Sequence, residues 1–373
     1  MWRVRVAELL PGIGIATATA TAAFVGSAAA AKVGRGSGAS GPPPIPGIPV
    51  AVALGVAINN VVGLPTTARP GLKLCTNVLL KAGIACVGAK LSAAELAKTS
   101  SGAAPAAVAT VSTGLIATPL FARAAGLEPV LGALLAAGTS ICGVTAVGAL
   151  APAVKAPQAL VGIAVANVVC YGTIGMLTYP YLAKWLFPEG GARAGVFLGL
   201  AVHDTAQVLG AGLTFAQAYD DESALKSATV TKLTRNLGLA VAIPVLAWVH
   251  QAKPGLAKRT PILPAFIAAF LGLAALRTWG DYGLASNGLA YGVMDEAQWR
   301  LAYKTVADVV GAKALLGTAM AAVGLSIDAK ALRGVGPRPF IVGGAAALVV
   351  GAVGAGSVVV LDRFGFFTSE EAE

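Results

Sequence analysis

The stretch AVHDTAQVLGAG (residues 201–212) places polar side chains in the middle of a long apolar run. Its polar members are His203, Asp204, Thr205 and Gln207, and most of the residues on either side are apolar. A charged side chain at the centre of a bilayer costs about 2.5–3.5 kcal/mol on insertion scales, so it faces a protein interior or a watery cavity. The stretch therefore predicts a polar site buried inside a membrane protein.

The composition of the whole chain agrees with a membrane setting. Of its 373 residues, 56% are hydrophobic and 12% are charged, and the mean hydropathy is +0.77. Soluble domains carry about 25% charged residues, so this chain is too apolar to cover a water-facing surface. The net charge of +10 is spread over connecting segments, without the basic stripe that nucleic-acid binding requires. We expect the lipid bilayer as a partner, and no nucleic acid.

The apolar segments predict an all-α polytopic membrane protein with about 10–11 transmembrane helices. A spanning helix needs about 20 apolar residues, and the alternating pattern of a membrane barrel is absent from the sequence. The segments lie near residues 9–31, 48–64, 72–90, 105–122, 127–154, 158–187, 194–218, 226–250, 261–276, 304–327 and 340–361. The sequence thus predicts a single transmembrane domain over 1–373, with a Gly/Pro-rich loop at 33–47 and a loose tail at 364–373.

The first segment has two interpretations. Arg3 and Arg5 precede it and it ends in GSAAAAK, as a cleaved signal peptide would. Its apolar run is longer than a usual signal core, which favours a retained helix. We expect a multi-pass integral protein of a plasma or inner membrane, with an organelle membrane as the alternative.

A faint internal repeat relates the third and tenth segments. LLKAGIACVGAKLSAAEL (79–96) aligns without gaps on LLGTAMAAVGLSIDAKAL (315–332). The segment count makes these two helices run in opposite directions, as inverted repeats require.

Two further segments contain polar breaks. In the fifth, AAGTSICGVTAVGALAP, the residues Thr139, Ser140 and Gly143 interrupt the apolar run and favour a second half-helix that starts at mid-membrane. The N–H groups at such a start form an anion site made of backbone. In the eighth, Arg235 lies about 10 Å inside the apolar core if Trp248 marks the far interface. Lys232 is one turn shallower, on the same helix face.

Each polar feature also has a purely structural interpretation. Lys232 and Arg235 would snorkel to the interface, His203 and Asp204 would brace two helices, and the break at Gly138–Gly143 would permit close packing. The four cysteines and the two histidines lack the spacing of metal ligands, so the sequence predicts no metal site and no cofactor.

Three motifs carry a resemblance to a known family. The stretches GTSICGVTAVGALAPAVKA (138–156), HDTAQV (203–208) and VTKLTRNL (230–237) resemble the YeiH-like family of bacterial inner-membrane proteins, also called UPF0324 and often labelled sulfate exporters. The resemblance covers residues 10–360 or so, and VGLSIDAKAL (323–332) looks like the last motif of the family.

The family is similar to the larger group of bile-acid-symporter and cation/proton-antiporter folds. That similarity implies inverted repeats with discontinuous helices that cross at the substrate site. The segment count, however, places the fifth and seventh segments in the same direction, which an antiparallel crossing of this pair would not allow.

The resemblance and the buried polar residues together predict a secondary active transporter of a small anion, sulfate or a related sulfur oxyanion, coupled to a proton or sodium gradient. Thr139, Ser140, Gly143, Lys232 and Arg235 would bind the anion. The predicted ion-coupling residues are His203, Asp204, Thr205 and Gln207, with Asn59, Asn236, Ser326 and Asp328 as second-tier candidates.

Several alternatives stay open at the level of sequence. A passive anion channel and a carboxylate or organic-anion transporter of the same fold would use the same residues. An enzyme is not expected, because a catalytic metal site normally has three or more protein ligands and the chain offers only His203 and His250 as imidazoles. A homodimer is compatible with the sequence.

Overall fold

The computed structural model describes residues 6–35, 47–249, 265–328 and 336–367. Helices make up most of these ranges, and the one strand-like feature within them is an isolated antiparallel bridge between Ala290 and Met294. The predicted Gly/Pro-rich loop and the predicted C-terminal tail lie largely outside the described residues, as does His250.

In the described ranges the α-helices, in chain order, are α1 (Val6–Arg35), α2 (Gly47–Ala57), α3 (Arg69–Leu74), α4 (Leu80–Val87), α5 (Ala93–Ala124), α6 (Pro129–Ala137), α7 (Val144–Ala153), α8 (Gln158–Leu186), α9 (Gly191–Ala201), α10 (Thr205–Tyr219), α11 (Glu222–Leu237), α12 (Leu239–Val249), α13 (Ala265–Asn287), α14 (Glu296–Lys304), α15 (Gly317–Leu325) and α16 (Pro337–Arg363). Turns of π-helix follow α2 (Ile58–Val62), join α3 to α4 (Cys75–Leu79), extend α6 (Gly138–Cys142) and join α14 to α15 (Thr305–Leu316), and 3₁₀ turns lie at Thr66–Ala68 and Gly88–Lys90.

Six helical runs in the described ranges are long and apolar enough to cross a membrane. They are Ala7–Ala29, Thr66–Lys90, Gly102–Ala124, Ala159–Leu186, Glu296–Leu325 and Pro337–Arg363. The chain is therefore an integral, multi-pass, all-α membrane protein, as the composition predicts.

The described helices divide into two compact units. The first unit contains α1–α4 and α13–α15. Its helices approach one another closely at glycines: a methyl group on Gly71 would lie 2.7 Å from Gly12 Cα, and one on Gly55 would lie 2.7 Å from the backbone nitrogen of Leu325. Contacts between small residues are typical of helix packing in membranes.

The two helices related by the internal repeat pack against each other within this unit. A methyl group on Gly83 would lie 2.7 Å from Leu316 Cγ, and Lys90 forms an ion pair with Asp308. Residue numbers rise from 83 to 90 along one helix, while the numbers of the residues that they contact on the other helix fall from 316 to 308. The two helices therefore run in opposite directions, as the repeat predicts.

The second unit is arranged around α8, a continuous helix of 29 residues and thus about 44 Å long. The fifth predicted segment precedes α8, and it is a hairpin. A methyl group on Gly138 would lie 3.0 Å from Val147 Cγ2, whereas these residues would be about 13.5 Å apart along a straight helix. The chain therefore turns back at Gly143, and α6 with its π-helical turn packs beside α7. We call residues 129–153 the first hairpin.

The seventh predicted segment is a second hairpin, formed by α9, residues 202–204 and α10. A methyl group on Gly190 would lie 3.6 Å from Phe215 Cζ, whereas a straight helix would separate these residues by about 37 Å. The base of the hairpin is closed where the Gly191 N–H donates to Asp221 Oδ2 at 2.6 Å. At 11 residues, α9 is about 17 Å long, too short to cross a bilayer core of about 30 Å.

The two hairpins enter from opposite ends of α8 and meet near its middle. The first hairpin joins α5 to the start of α8, and the second joins the end of α8 to α11. Gly138 of the first hairpin contacts Val168, and the Gln207 side chain of the second donates to the Val169 carbonyl at 3.2 Å. Neither segment is a span, so the conflict between their direction and an antiparallel crossing disappears.

This topology can be tested by cysteine labelling from the two sides of the membrane, in a background without the four native cysteines. We expect Glu128→Cys and Pro157→Cys to react with an impermeant maleimide from one side, and Glu189→Cys and Glu222→Cys to react from the other. If each segment instead crossed the membrane once, the two members of each pair would react from opposite sides.

Candidate functional site

Each hairpin tip brings together the end of one helix and the start of another. In the first hairpin helical backbone ends at Cys142 and α7 begins at Val144, and in the second α9 ends at Ala201 and α10 begins at Thr205. A helix end exposes carbonyl groups and carries partial negative charge, whereas a helix start exposes N–H groups and carries partial positive charge. Each tip therefore presents an acceptor end and a donor end within one short stretch.

Lys232 on α11 binds the acceptor ends of both hairpins. Its ammonium group donates to the Ile141 carbonyl at 3.0 Å, to the Val202 carbonyl at 3.0 Å and to the His203 carbonyl. These contacts use all three N–H donors that a lysine has. The side chain is 0% exposed, so its charge is compensated by backbone dipoles rather than by water.

Arg235 repeats this arrangement one helical turn later. Its Nε donates to the Ser140 carbonyl at 2.8 Å, its Nη2 to the Thr139 carbonyl at 2.7 Å and its Nη1 to the Leu200 carbonyl at 2.5 Å. The residue is 1% exposed. We call Lys232 and Arg235 the cation clamp, because each one holds the first hairpin against the second.

The clamp decides between two interpretations of these residues. Snorkelling would place the charged ends of Lys232 and Arg235 in water, but both are buried among backbone carbonyls. The Lys232 ammonium group and the Arg235 atoms Nε, Nη1 and Nη2 already donate to backbone carbonyls. Direct binding of an anion by these two residues stays a prediction. The positive charge of the clamp can still attract an anion without a direct hydrogen bond.

Asp204 occupies the donor ends of both hairpins. Its Oδ1 accepts from the Ala206 N–H at 2.9 Å, which caps the start of α10, and its carboxylate also accepts from the Val144 N–H at the start of α7. Aspartate is among the preferred residues at the start of a helix because its oxygens satisfy free N–H groups. Here one carboxylate serves two helices, and its residue is only half-buried.

Gly143 makes the shared position of Asp204 sterically possible. Its backbone has φ +71° and ψ −132°, a conformation that residues other than glycine rarely adopt. A methyl group on Gly143 would also lie 2.5 Å from Asp204 Oδ2. The glycine predicted as part of the anion site is thus the turn of the first hairpin and the contact point with the second.

The remaining predicted coupling residues surround the same tips. His203 is 2% exposed, and its ring lies within hydrogen-bonding reach of the Thr139 backbone. The Gln207 amide donates to Thr173 Oγ1 at 3.2 Å, and the Asn236 amide donates to Thr205 Oγ1 at 3.2 Å. Asn236 is therefore part of this cluster rather than a remote candidate.

Several buried polar atoms at the tips have no hydrogen-bond partner within the described protein. They are Ser140 Oγ, His203 Nδ1, Gln207 Oε1, Thr231 Oγ1 and Asn236 Oδ1. Leaving such an atom unsatisfied costs about 1–3 kcal/mol. The atoms face different helices, because Ser140 Oγ lies against Gly114 of α5 and Gln207 Oε1 against Gly172 of α8. Sequence reasoning missed Thr231, although it precedes Lys232 in the motif VTKLTRNL.

The other second-tier candidates belong to the first unit, where Asn59 and Ser326 bond to backbone carbonyls. The Asn59 amide donates to the Ile327 carbonyl at 3.0 Å, and Ser326 Oγ donates to the Ala322 carbonyl at 2.7 Å. Asp328 is exposed just beyond α15. Among the described residues no group of three or more His, Cys, Asp or Glu side chains is placed to hold a metal ion.

Comparisons with known proteins identify the family of the chain. The model of a family described as conserved hypothetical protein 698 matches residues 22–343. The UPF0324 membrane protein Atu0671 of Agrobacterium fabrum is 29% identical over 313 residues, which is 83% of each chain. The UPF0324 membrane protein TauZ of Paracoccus pantotrophus is 34% identical over 281 residues, or 72% of this chain and 78% of TauZ. No solved structure matches the chain.

Gly143→Ala tests the contact between the tips. We expect a lower melting temperature in detergent, because the strained backbone alone costs about 1–3 kcal/mol and the added methyl group collides with Asp204. Gly148→Ala is the matched control, since nothing lies within 4 Å of its added methyl group. Equal melting temperatures for the two variants would contradict the contact.

Arg235→Met tests the clamp. The change leaves the carbonyls of Thr139, Ser140 and Leu200 without this donor, at about 1–3 kcal/mol for each one that stays buried and unpaired. We expect a much larger drop in melting temperature than for Arg123→Met, which removes the charge of an exposed arginine at the end of α5. Similar stabilities would show that the clamp does not hold the hairpins.

Proposed function

The chain belongs to the family described as conserved hypothetical protein 698, and from the geometry of its paired hairpins we propose that it is a secondary active transporter of a small anion. The observation that carries the proposal is the position of Asp204 at the starts of two half-helices, halfway along α8. Starts of helices inside a membrane are suited to bind anions.

The charges at the tips favour an anionic ligand over a cationic one. Lys232 and Arg235 are two buried cations, and Asp204 is the acidic side chain between the tips that binds the helix starts. With the carboxylate ionised, these three groups sum to one positive charge. Buried charge is costly unless it is compensated, so a bound anion would be stabilised there.

Sulfate or a related sulfur oxyanion is the substrate that we propose, in line with the resemblance of the three motifs. The hydroxyl of Ser140 and free N–H groups at the helix starts would hold its oxygens. Thr139 would contribute from the same turn of the first hairpin. Asp204 and its neighbours His203, Thr205 and Gln207 would couple the anion to an ion gradient, proton or sodium.

Three other functions make different predictions. A passive channel would show anion flux that no coupling ion changes. A transporter of carboxylates or other organic anions would prefer those substrates over sulfate in direct competition. An enzyme would release a chemically altered product, and we propose that this protein does not.

Transport can be measured with purified protein in liposomes. We expect uptake of radiolabelled sulfate or sulfite to exceed its level in protein-free vesicles and to respond to an imposed ion gradient. Asp204→Asn should abolish accumulation driven by the gradient, because the carboxylate is the proposed coupling group. Glu128→Gln, the same chemical change at an exposed position beside the first hairpin, should keep the wild-type rate.

Two results would contradict the proposal. Sulfate and sulfite uptake no faster than in protein-free vesicles, under every gradient tested, would remove these anions as substrates. Wild-type accumulation by Asp204→Asn would remove the tips from the coupling mechanism.

A further inference from the structure

The Asp204 carboxylate is itself an anion bound at the helix starts. It accepts from the first turn of α10 through Ala206 and from the first turn of α7 through Val144. It also lies against Gly143, the residue before α7, where a methyl group would be 2.5 Å from Oδ2. A substrate anion that used the same two helix starts would compete with this carboxylate for the same N–H groups.

We propose that Asp204 is a tethered occupant of the anion site, and that its protonation is the event that admits the substrate anion. This inference rests on the proposed function and selects the proton over sodium as the coupling ion. A protonated carboxyl group has lost its charge and accepts hydrogen bonds less strongly. Both helix starts then become available to an anion, and no negative side chain at the tips opposes the charge of the cation clamp any longer.

The balance of charge makes proton and anion binding mutually dependent. The two cations and the ionised carboxylate sum to one positive charge, and protonation of Asp204 raises the sum to two. An anion that enters with the proton lowers it again, whereas an anion that enters alone would lie beside the negative carboxylate. Repulsion between like charges is stronger in a partly buried site than in bulk water.

The charged and titratable groups that face Asp204 are few among the described residues. Cys142 lies on the first hairpin, His203 precedes Asp204 in the second, and Lys232 and Arg235 lie on α11. His203 is the alternative proton acceptor, because Nδ1 of its buried ring has no hydrogen-bond partner. Experiments therefore need to separate His203 from Asp204.

Sulfate binding measured against pH tests the proposal. Radiolabelled sulfate is the suitable probe, because it remains a dianion between about pH 5 and about pH 8 and any pH dependence must come from the protein. In sodium-free buffer we expect wild-type affinity to fall as the pH rises, by up to about tenfold per pH unit for one linked proton. Sodium should not restore the affinity lost at high pH.

Asp204→Asn should bind sulfate with an affinity that hardly changes with pH. Asparagine caps a helix about as well as aspartate, so its Oδ1 can keep the bond from the Ala206 N–H. Its NH2 group cannot accept from the Val144 N–H, and the amide carries no competing charge. His203→Gln should keep the wild-type pH dependence. Glu128→Gln serves as the control for a carboxyl-to-amide change away from the tips.

The outcomes separate this inference from the proposed function. Absence of sulfate binding at every pH, together with absence of uptake, would contradict the proposed function itself. Binding without pH dependence in the wild type, binding promoted by sodium instead of protons, or loss of the dependence in His203→Gln but not in Asp204→Asn would each overturn the role of Asp204.

Discussion

The second unit depends on the match between buried side-chain charges and the ends of broken helices. Lys232 and Arg235 bind the carbonyl ends of both hairpins, and Asp204 binds the N–H ends of both. A bilayer offers no water to satisfy these backbone groups, so non-helical backbone at this depth is tolerated only where protein or a water-filled cavity satisfies it. The charged side chains supply that compensation, and the broken helices in turn compensate the charges.

The same arrangement places one hairpin on each side of the candidate site along the direction of α8. Because the hairpins enter from opposite ends of α8, each end of the second unit is separated from the tips by one hairpin. The arms are short, with 10 residues in α7 and 11 in α9, and their tips meet at Gly143. Under the proposed function, the two hairpins would be the elements whose movement opens the tips to one side at a time.

Several polar residues that the sequence singled out lie close together in the structure, whereas the direction of their segments was predicted wrongly. Asp204 and Lys232 stood out because charged side chains are rare in apolar runs, and Gly143 because it lies beside the polar residues Thr139 and Ser140. The structure places Asp204 against Gly143 and Lys232 against the carbonyl of the neighbouring His203. The reversal of direction was missed because two short apolar arms joined by a polar break have the same length and composition as one spanning helix. The chain turns at Gly143, where φ is positive. The glycine itself is the one feature of the sequence that indicates this turn.

The hydrogen-bond acceptors of the cation clamp could not be predicted from the sequence either. Lys232 and Arg235 were expected to bind substrate, but their acceptors are backbone carbonyls such as those of Ile141 and Leu200. Every residue has a carbonyl, so no pattern of side chains indicates which one is used. In the first unit, by contrast, the segment count gave opposite directions for the two helices of the repeat, and the helices that pair Lys90 with Asp308 do run in opposite directions.

The most direct measurement is the anomalous scattering of selenate, a heavier analogue of sulfate, in crystals of the protein grown at acidic pH. Binding between the hairpins predicts a selenium peak beside the starts of α7 and α10, within hydrogen-bonding distance of the backbone around Val144 and Ala206. A well-ordered structure in which selenate binds elsewhere and the tips hold none would contradict an anion site at this position.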